Sequence, residues 1–554
     1  MKKVSLLILC AVLLCFSCEE NKKLPLNDDI AMDDGDTIVS DTDQKENELP
    51  DVADNAPVDD ATPPTDEDGL LSDDDLITNP PCLETGEGCA ETEICLYDPQ
   101  LSGYYCEEAC DPLVTDDCPE GLRCEPVAGD TKSGCFLPVI IAGRVFDLDE
   151  IGYPAIEGAR VSAMDQKNGE ATDVSVTDTT GHYRIALSLT RQRNGMPATG
   201  EVYTLRAAAK DHAPYPGPGQ VALPILMDNG TLMNDGYYVS SGFLDIGLAA
   251  LAEEEQGGFI VSGALSETTS GVLVIARCAT APCPYTYTGA EGDFTLYNVL
   301  PGDYEIAALK SGMSFTPVPV TVVDADITDL LLELVTEPEL GSITGQVNIV
   351  DGGGGLTTSV VMMAEETFIP GFDKGEIIPG LRAPEPPEAP TISGAYTITG
   401  IPAGKYVVLA AFENDWLVRD PDPNIAGTQV LHLEMPAVGD IWDISLSNFK
   451  VTRAIDIVSP GALGPEQVDA VDLVFVWKDD SSETHYNLKL FNAYGEIVWE
   501  KTVPRATGVT QIEEPYDGGP LAGYYQWRVT SLKSGAPIST SEDLKGIFYV
   551  GMPW

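Results

Sequence analysis

Basic residues are scarce: 30 Lys and Arg stand against 89 Asp and Glu, a net charge of -59 over 554 residues. Such a chain repels phosphate backbones and anionic headgroups, so no nucleic-acid partner is expected. Histidine is scarcer still. His182, His212, His432 and His485 are scattered through the chain, with no pair at metal-ligand spacing. There is no HExxH, no G-x-S-x-G elbow and no phosphate-cradling glycine loop. Paired carboxylates arise by chance in so acidic a chain and identify no glycosidase on their own. We therefore expect no enzyme, no cofactor and no bound metal. Long apolar runs are also missing: beyond the N-terminus none reaches the ~18 residues of a membrane-spanning helix.

What is present begins with an export signal. Lys2 and Lys3 precede an apolar run from Val4 to Phe16, and the small residue Ser17 stands before Cys18. The stretch resembles the signal of bacterial lipoproteins, although Cys15 and Phe16 depart from that pattern upstream of the modified position. The resemblance implies cleavage after residue 17, acylation of Cys18 and a membrane-anchored lipoprotein at the outer membrane or cell surface of a Gram-negative bacterium. An ordinary signal peptide cut near Ser17 is the other reading. Residues 18–81 follow as an acidic segment without aromatics, a composition that cannot offset its ordering entropy and predicts a disordered, extended tether. Neither "DTDQKENE" nor "TDEDGLLSDDD" has the spacing of a calcium loop.

Residues 82–137 hold eight cysteines in two tandem sets: Cys82, Cys89, Cys95, Cys106, then Cys110, Cys118, Cys124, Cys135. An even count at repeated spacing in an exported chain reads as a disulfide framework, with three possible connectivities in each unit. Zinc would favour short C-x2-C knuckles, which are absent. "DDCPEGLRC" (Asp116 to Cys124) is similar to small Cys-rich modules of bacterial surface lipoproteins and animal extracellular proteins. Cys278 and Cys283 form a further pair, read as a local staple.

From residue 138 onward apolar and β-branched residues alternate between turn signals, predicting strands. "GDFTLYNVLPGDYEI" at 292–306 is nearly respelled 102 positions later as "GAYTITGIPAGKYVV". A first copy, "GHYRIAL" and "VYTLRAAA", is interrupted by an insertion containing "RQRNG". We read each pair as a hairpin. The opening strands "IAGRVF", "VSGALS" and "ITGQVN" recur in the same order, as do closing strands led by Asp245, Asp329 and Asp443. These elements define three repeats, 138–251, 258–335 and 341–449, separated by "AEEEQG" and "TEPELG", which read as hinges with few contacts.

The pattern G-x-V, V-x-A, G-x-Y/F-x-I/L, G-x-Y-x-V resembles the carboxypeptidase regulatory-like domains. That resemblance implies transthyretin-like β-sandwiches without catalytic machinery, with Phe294, Tyr304, Tyr396 and Tyr406 in their cores. Residues 450–554 are similar to a fibronectin type III domain, with Trp477 and Tyr525 as the expected core pair. The expected fold is all-β: tandem Greek-key sandwiches, three regulatory-like and one fibronectin type III-like, behind a disulfide module and a tether.

Two functions fit this organisation. One is a noncatalytic adhesive or structural rod that displays binding loops, with inserts 214–236 and 368–390 as candidate contacts for a surface protein. The other is a carbohydrate-binding array, with Trp416, Trp442, Tyr285 and Tyr287 as candidate stacking residues for a glycan.

Overall fold

The structure, a computed structural model, describes residues 81–551 apart from short internal stretches, the longest being 351–357, 385–393 and 413–429. Cys18, the tether, Trp416 and Trp442 lie outside the described residues. Every extended element is a β-strand, and the only helical turns among the described residues are two short 3-10 segments.

The three repeats are built on one plan. In the first sandwich the opening strand Val139–Asp147 pairs antiparallel with His182–Leu187 and parallel with Ile246–Leu248. Phe259–Leu265 pairs in the same way with Asp293–Val299 and Ile327–Leu332, and Gly341–Val350 with Gly394–Ile401 and Asp443–Ser445. A second sheet lies over each, centred on Arg160–Asp165 with Val202–Ala208, Leu273–Arg277 with Gly302–Lys310, and Thr358–Ala364 with Gly404–Phe412. The glycine of each opening strand has a packing cause. A Cβ at Gly143 or Gly263 would sit 2.2 or 2.1 Å from the carbonyl oxygen of Leu244 or Leu330.

The respelled stretch is not a hairpin. Its two strands belong to different sheets, so the Pro-Gly turn at Pro301 arches across the sandwich. Both strands must send their apolar faces into the same core. Phe294 and Leu296 point there from one sheet and Ile306 and Ala308 from the other. Tyr406 is fully buried and its hydroxyl donates to the Pro402 carbonyl at 2.6 Å; Tyr304 makes the same bond to Leu300 at 2.9 Å but is only half-buried.

The fourth sandwich sets a three-stranded sheet, Ile457–Ser459, Val474–Lys478 and Gln511–Pro515, against a six-stranded one built around Gly523–Lys533 and His485–Asn492. Trp477, Trp527, Phe475 and Tyr525 share its core. In the Cys-rich module each unit is stapled first to third and second to fourth: Cys82–Cys95 and Cys89–Cys106, then Cys110–Cys124 and Cys118–Cys135. Cys278 and Cys283 are also bonded.

Candidate functional site: the seams between the sandwiches

The expected hinges do not isolate their neighbours. The acidic residues 252–257 are exposed, but the chain on either side of them is tied to Asp211: Leu251 N–H donates to its carbonyl at 2.9 Å and Gly257 N–H to its carboxylate at 2.7 Å. One apolar cluster runs from Met164 and Ala171 of the first sandwich through Ile275, Tyr287 and Leu309 of the second into the core of the third.

At the centre of this cluster three repeats meet on one ion pair. Arg206 rises from Val202–Ala208 in the first sandwich, and its Nη2 lies 2.7 Å from Glu376 Oε2 in the third. Its guanidinium sits 4.4 Å from the ring centroid of Tyr287, in the second sandwich. Tyr287 Oη donates to Glu376 at 2.8 Å and to the Ile377 carbonyl at 3.0 Å. Burial alone would raise the Glu376 carboxyl. Arg206 and the hydroxyls of Tyr287 and Tyr285 reverse that and hold it below the usual carboxylate range. Burial, reinforced by Glu376, pushes both tyrosine hydroxyls well above their ordinary value. Tyr285 and Tyr287 are therefore not an exposed stacking platform; the second is buried in the seam.

Both candidate contact loops are also engaged within the chain. From insert 214–236, Val221 and Leu223 join Leu148 of the first sandwich in an apolar cluster with Tyr524, Leu544 and Ile547 of the fourth. At Gly219 a Cβ would lie 2.3 Å from the Asn492 carbonyl oxygen. Insert 368–390 contributes Lys374, whose Nζ donates to the Gln220 carbonyl at 2.6 Å, and the strand Ile377–Ala383, which pairs with Thr358–Ala364. Tyr494 of the fourth sandwich donates to Asp149 of the first, 345 residues away. A row of beads separated by free hinges would not make these contacts.

The insertion "RQRNG" grips the Cys-rich module. Arg191, 1% exposed, pairs with the fully buried Glu125 and donates to the Gly195 and Leu137 carbonyls at 2.7 and 2.6 Å. Arg193 Nη2 reaches Asp130 at 2.7 Å, and its Nη1 reaches the Cys95 carbonyl at 3.2 Å. Each arginine thus holds one unit or both to the first sandwich. The sequence signal was visible: two arginines in a chain poor in basic residues.

The histidines stay apart. His212 faces Asp147 at 3.3 Å, His432 faces Glu365 at 3.1 Å, and His182 and His485 bond to neighbouring threonines. Sulfur atoms of Cys82, Cys89 and Cys106, and of Cys110, Cys118 and Cys124, lie close together, but disulfide bonding consumes the thiolates a metal would need. A cleft remains between the first and second sandwiches, beside the Arg206–Glu376 pair.

No protein-family model matches the chain, and no curated protein matches it. Among solved structures, the Bacillus anthracis TIE protein is 12% identical over 74% of this chain and 72% of its own, at a TM-score of 0.13. BcpA, the major pilin subunit of Bacillus cereus, is 11% identical over 56% of this chain and 100% of its own, at 0.14. The FN1-FN3 domains of chicken CNTN1 are 12% identical over 53% and 98%, also at 0.14. Likeness at this level carries no inference about function.

Proposed function

We propose that the protein is a noncatalytic, lipid-anchored surface protein whose docked sandwiches form a preassembled display body. The observation that supports this reading most is the use made of its conspicuous residues. Arg206, Glu376, Tyr287, Arg191, Glu125 and both inserts are spent on joining domains. Residues placed for catalysis would instead converge on an accessible reacting position. Here the buried charges face one another across domain borders, an arrangement that fixes geometry rather than performs chemistry. Acylation of Cys18 would hold the body at the membrane, and the acidic segment behind it would set the body away from an anionic surface.

Cell fractionation tests the anchor. The wild-type protein should partition with membranes, and Cys18→Ser should release it into the soluble fraction. A soluble wild type with an unacylated N-terminus contradicts the reading. Surface display is tested by protease treatment of intact cells, which should remove the folded region without lysis.

A further inference from the structure

The cleft between the first two sandwiches brings charged, hydroxyl-bearing and aromatic residues together. Its walls come from the strands Arg160–Asp165 and Val202–Ala208 on one side, and Tyr285–Tyr287 and Asp293–Val299 on the other. Arg160 Nη2 lies 2.7 Å from Asp293 Oδ2 across the cleft, with side chains 26% and 46% exposed. Ser162, Thr295 and Tyr297, each carrying a hydroxyl, line the same space. Tyr215 from the first sandwich and Tyr285 from the second, both partly buried, also line it.

Three features define what could enter. First, the local charge is balanced: Arg160 faces Asp293, and the neighbouring Arg206 faces Glu376. With each guanidinium already matched by a carboxylate, the cleft favours a neutral guest within a chain of net charge -59. Second, donors and acceptors are both present. Guanidinium N–H groups only donate, carboxylate oxygens only accept, and hydroxyls do both. A guest carrying adjacent hydroxyls can bond to such a set, and an apolar guest cannot. Third, the aromatic walls offer flat apolar surface beside the polar groups, the combination that small-molecule sites use to bind and orient a guest with one apolar face.

We propose that this cleft binds a neutral saccharide, with the Arg160–Asp293 pair and the hydroxyls of Ser162, Thr295 and Tyr297 bonding its hydroxyl groups and the tyrosine rings packing on its C–H face. The inference deepens the surface-display reading by naming the ligand class. It keeps Tyr285 from the residues expected for a glycan at the sequence level, while Tyr287 serves the seam and Tyr297 was not singled out.

The test uses the purified full-length chain in detergent, so that its outcome is independent of where the protein is anchored. Maltose, cellobiose, lactose and mannobiose are offered at millimolar concentration, with digalacturonate as the anionic comparison, and binding is read by saturation-transfer NMR and calorimetric titration. At least one neutral disaccharide should bind. Tyr297→Ala should weaken it at least about tenfold, and Ser162→Phe, which fills the cleft, should abolish it. Both variants should keep the wild-type melting curve; Tyr297→Ala stands alone should Ser162→Phe perturb the fold. No binding by any neutral disaccharide, binding unchanged in Tyr297→Ala, or a preference for digalacturonate would each overturn the proposal. A failure here leaves the Cys18→Ser fractionation result untouched, and the reverse is equally true.

Discussion

Asn298 and Gly400 occupy the same position in stretches 102 residues apart, both at positive φ (58° and 72°), and each bonds the turn of the preceding sandwich. Asn298 Oδ1 accepts from Asp211 N–H at 2.7 Å, while its Nδ2 donates to the Ala209 and His212 carbonyls at 3.1 and 2.8 Å. The Gly400 carbonyl accepts from Gly312 N–H at 2.8 Å. Asp211 and Gly312 are themselves at positive φ, 60° and 76°. One joint is thus used twice, and in the first repeat the "RQRNG" insertion follows the matching strand and docks the Cys-rich module instead.

The joint yields the first prediction. Asn298→Gly keeps the left-handed backbone but loses three hydrogen bonds, at about 1 kcal/mol each. Asn298→Ala loses the same bonds and keeps the Cβ at positive φ that glycine removes, so it lies about 1–2 kcal/mol below Asn298→Gly. Thermal unfolding should rank the stabilities wild type, then Asn298→Gly, then Asn298→Ala. Equal stability of all three would show that the turn does not hold the seam.

Arg191 and Glu125 form a buried pair, so removing one partner strands the other. Arg191→Met should cost about 3–5 kcal/mol and free the Cys-rich module, while Arg191→Met with Glu125→Met should recover much of the loss. Limited proteolysis between residues 123 and 137 reports undocking. Equal sensitivity of the single and double variants would argue against a paired role.

The two buried carboxylates should respond to pH with opposite sign. Burial pushes Glu125 up to about 7 despite the pull of Arg191, above its ordinary 4.5. Its contribution is full below about 4.5 and is lost as pH rises through about 7. Glu376 is held below its ordinary value, so its contribution is present above about 4.5 and is lost as pH falls further. Hydrogen exchange can follow both seams at once. The Ala128 amide, bonded to the Arg191 carbonyl, should gain protection from pH 8 to about 5, and the Ala364 amide, bonded to the Glu376 carbonyl, should lose it below about 4. Parallel behaviour of the two amides would refute this assignment.

Truncating Tyr406 to Ala removes a fully buried ring and its bond to Pro402, at about 3–5 kcal/mol. Because the core around Tyr406 continues into Met164 and Tyr287, the loss should reach the first and second sandwiches. Exchange confined to residues 341–449 would instead describe an independent domain.

The sequence made the repeats legible because each opening strand, arch and closing strand carries its own local signal. The cysteines were legible by count, though not their pairing, which depends on strand register: Cys95 lies opposite Cys106, and Cys124 opposite Cys135. The arch was read as a hairpin because a Pro-Gly turn between alternating strands looks the same whether the chain stays in one sheet or crosses to the other. The seams were not legible. Arg206 and Glu376 are 170 positions apart and belong to different repeats, and no periodicity links them. An acidic run such as "AEEEQG" is solvated whether its neighbours are free or docked, so composition could not distinguish a hinge from the exposed edge of a seam.

Differential scanning calorimetry of the mature chain, wild type and Gly219→Trp, tests the preassembled body most directly. Gly219 sits against Asn492 and Gly495, so an indole there must part the first sandwich from the fourth. The wild type should unfold with the fourth sandwich coupled to the first, and the variant should release a separate transition for residues 450–554 at lower temperature. Four independent transitions in the wild type, superimposable on those of Gly219→Trp, would contradict a body fixed by its seams.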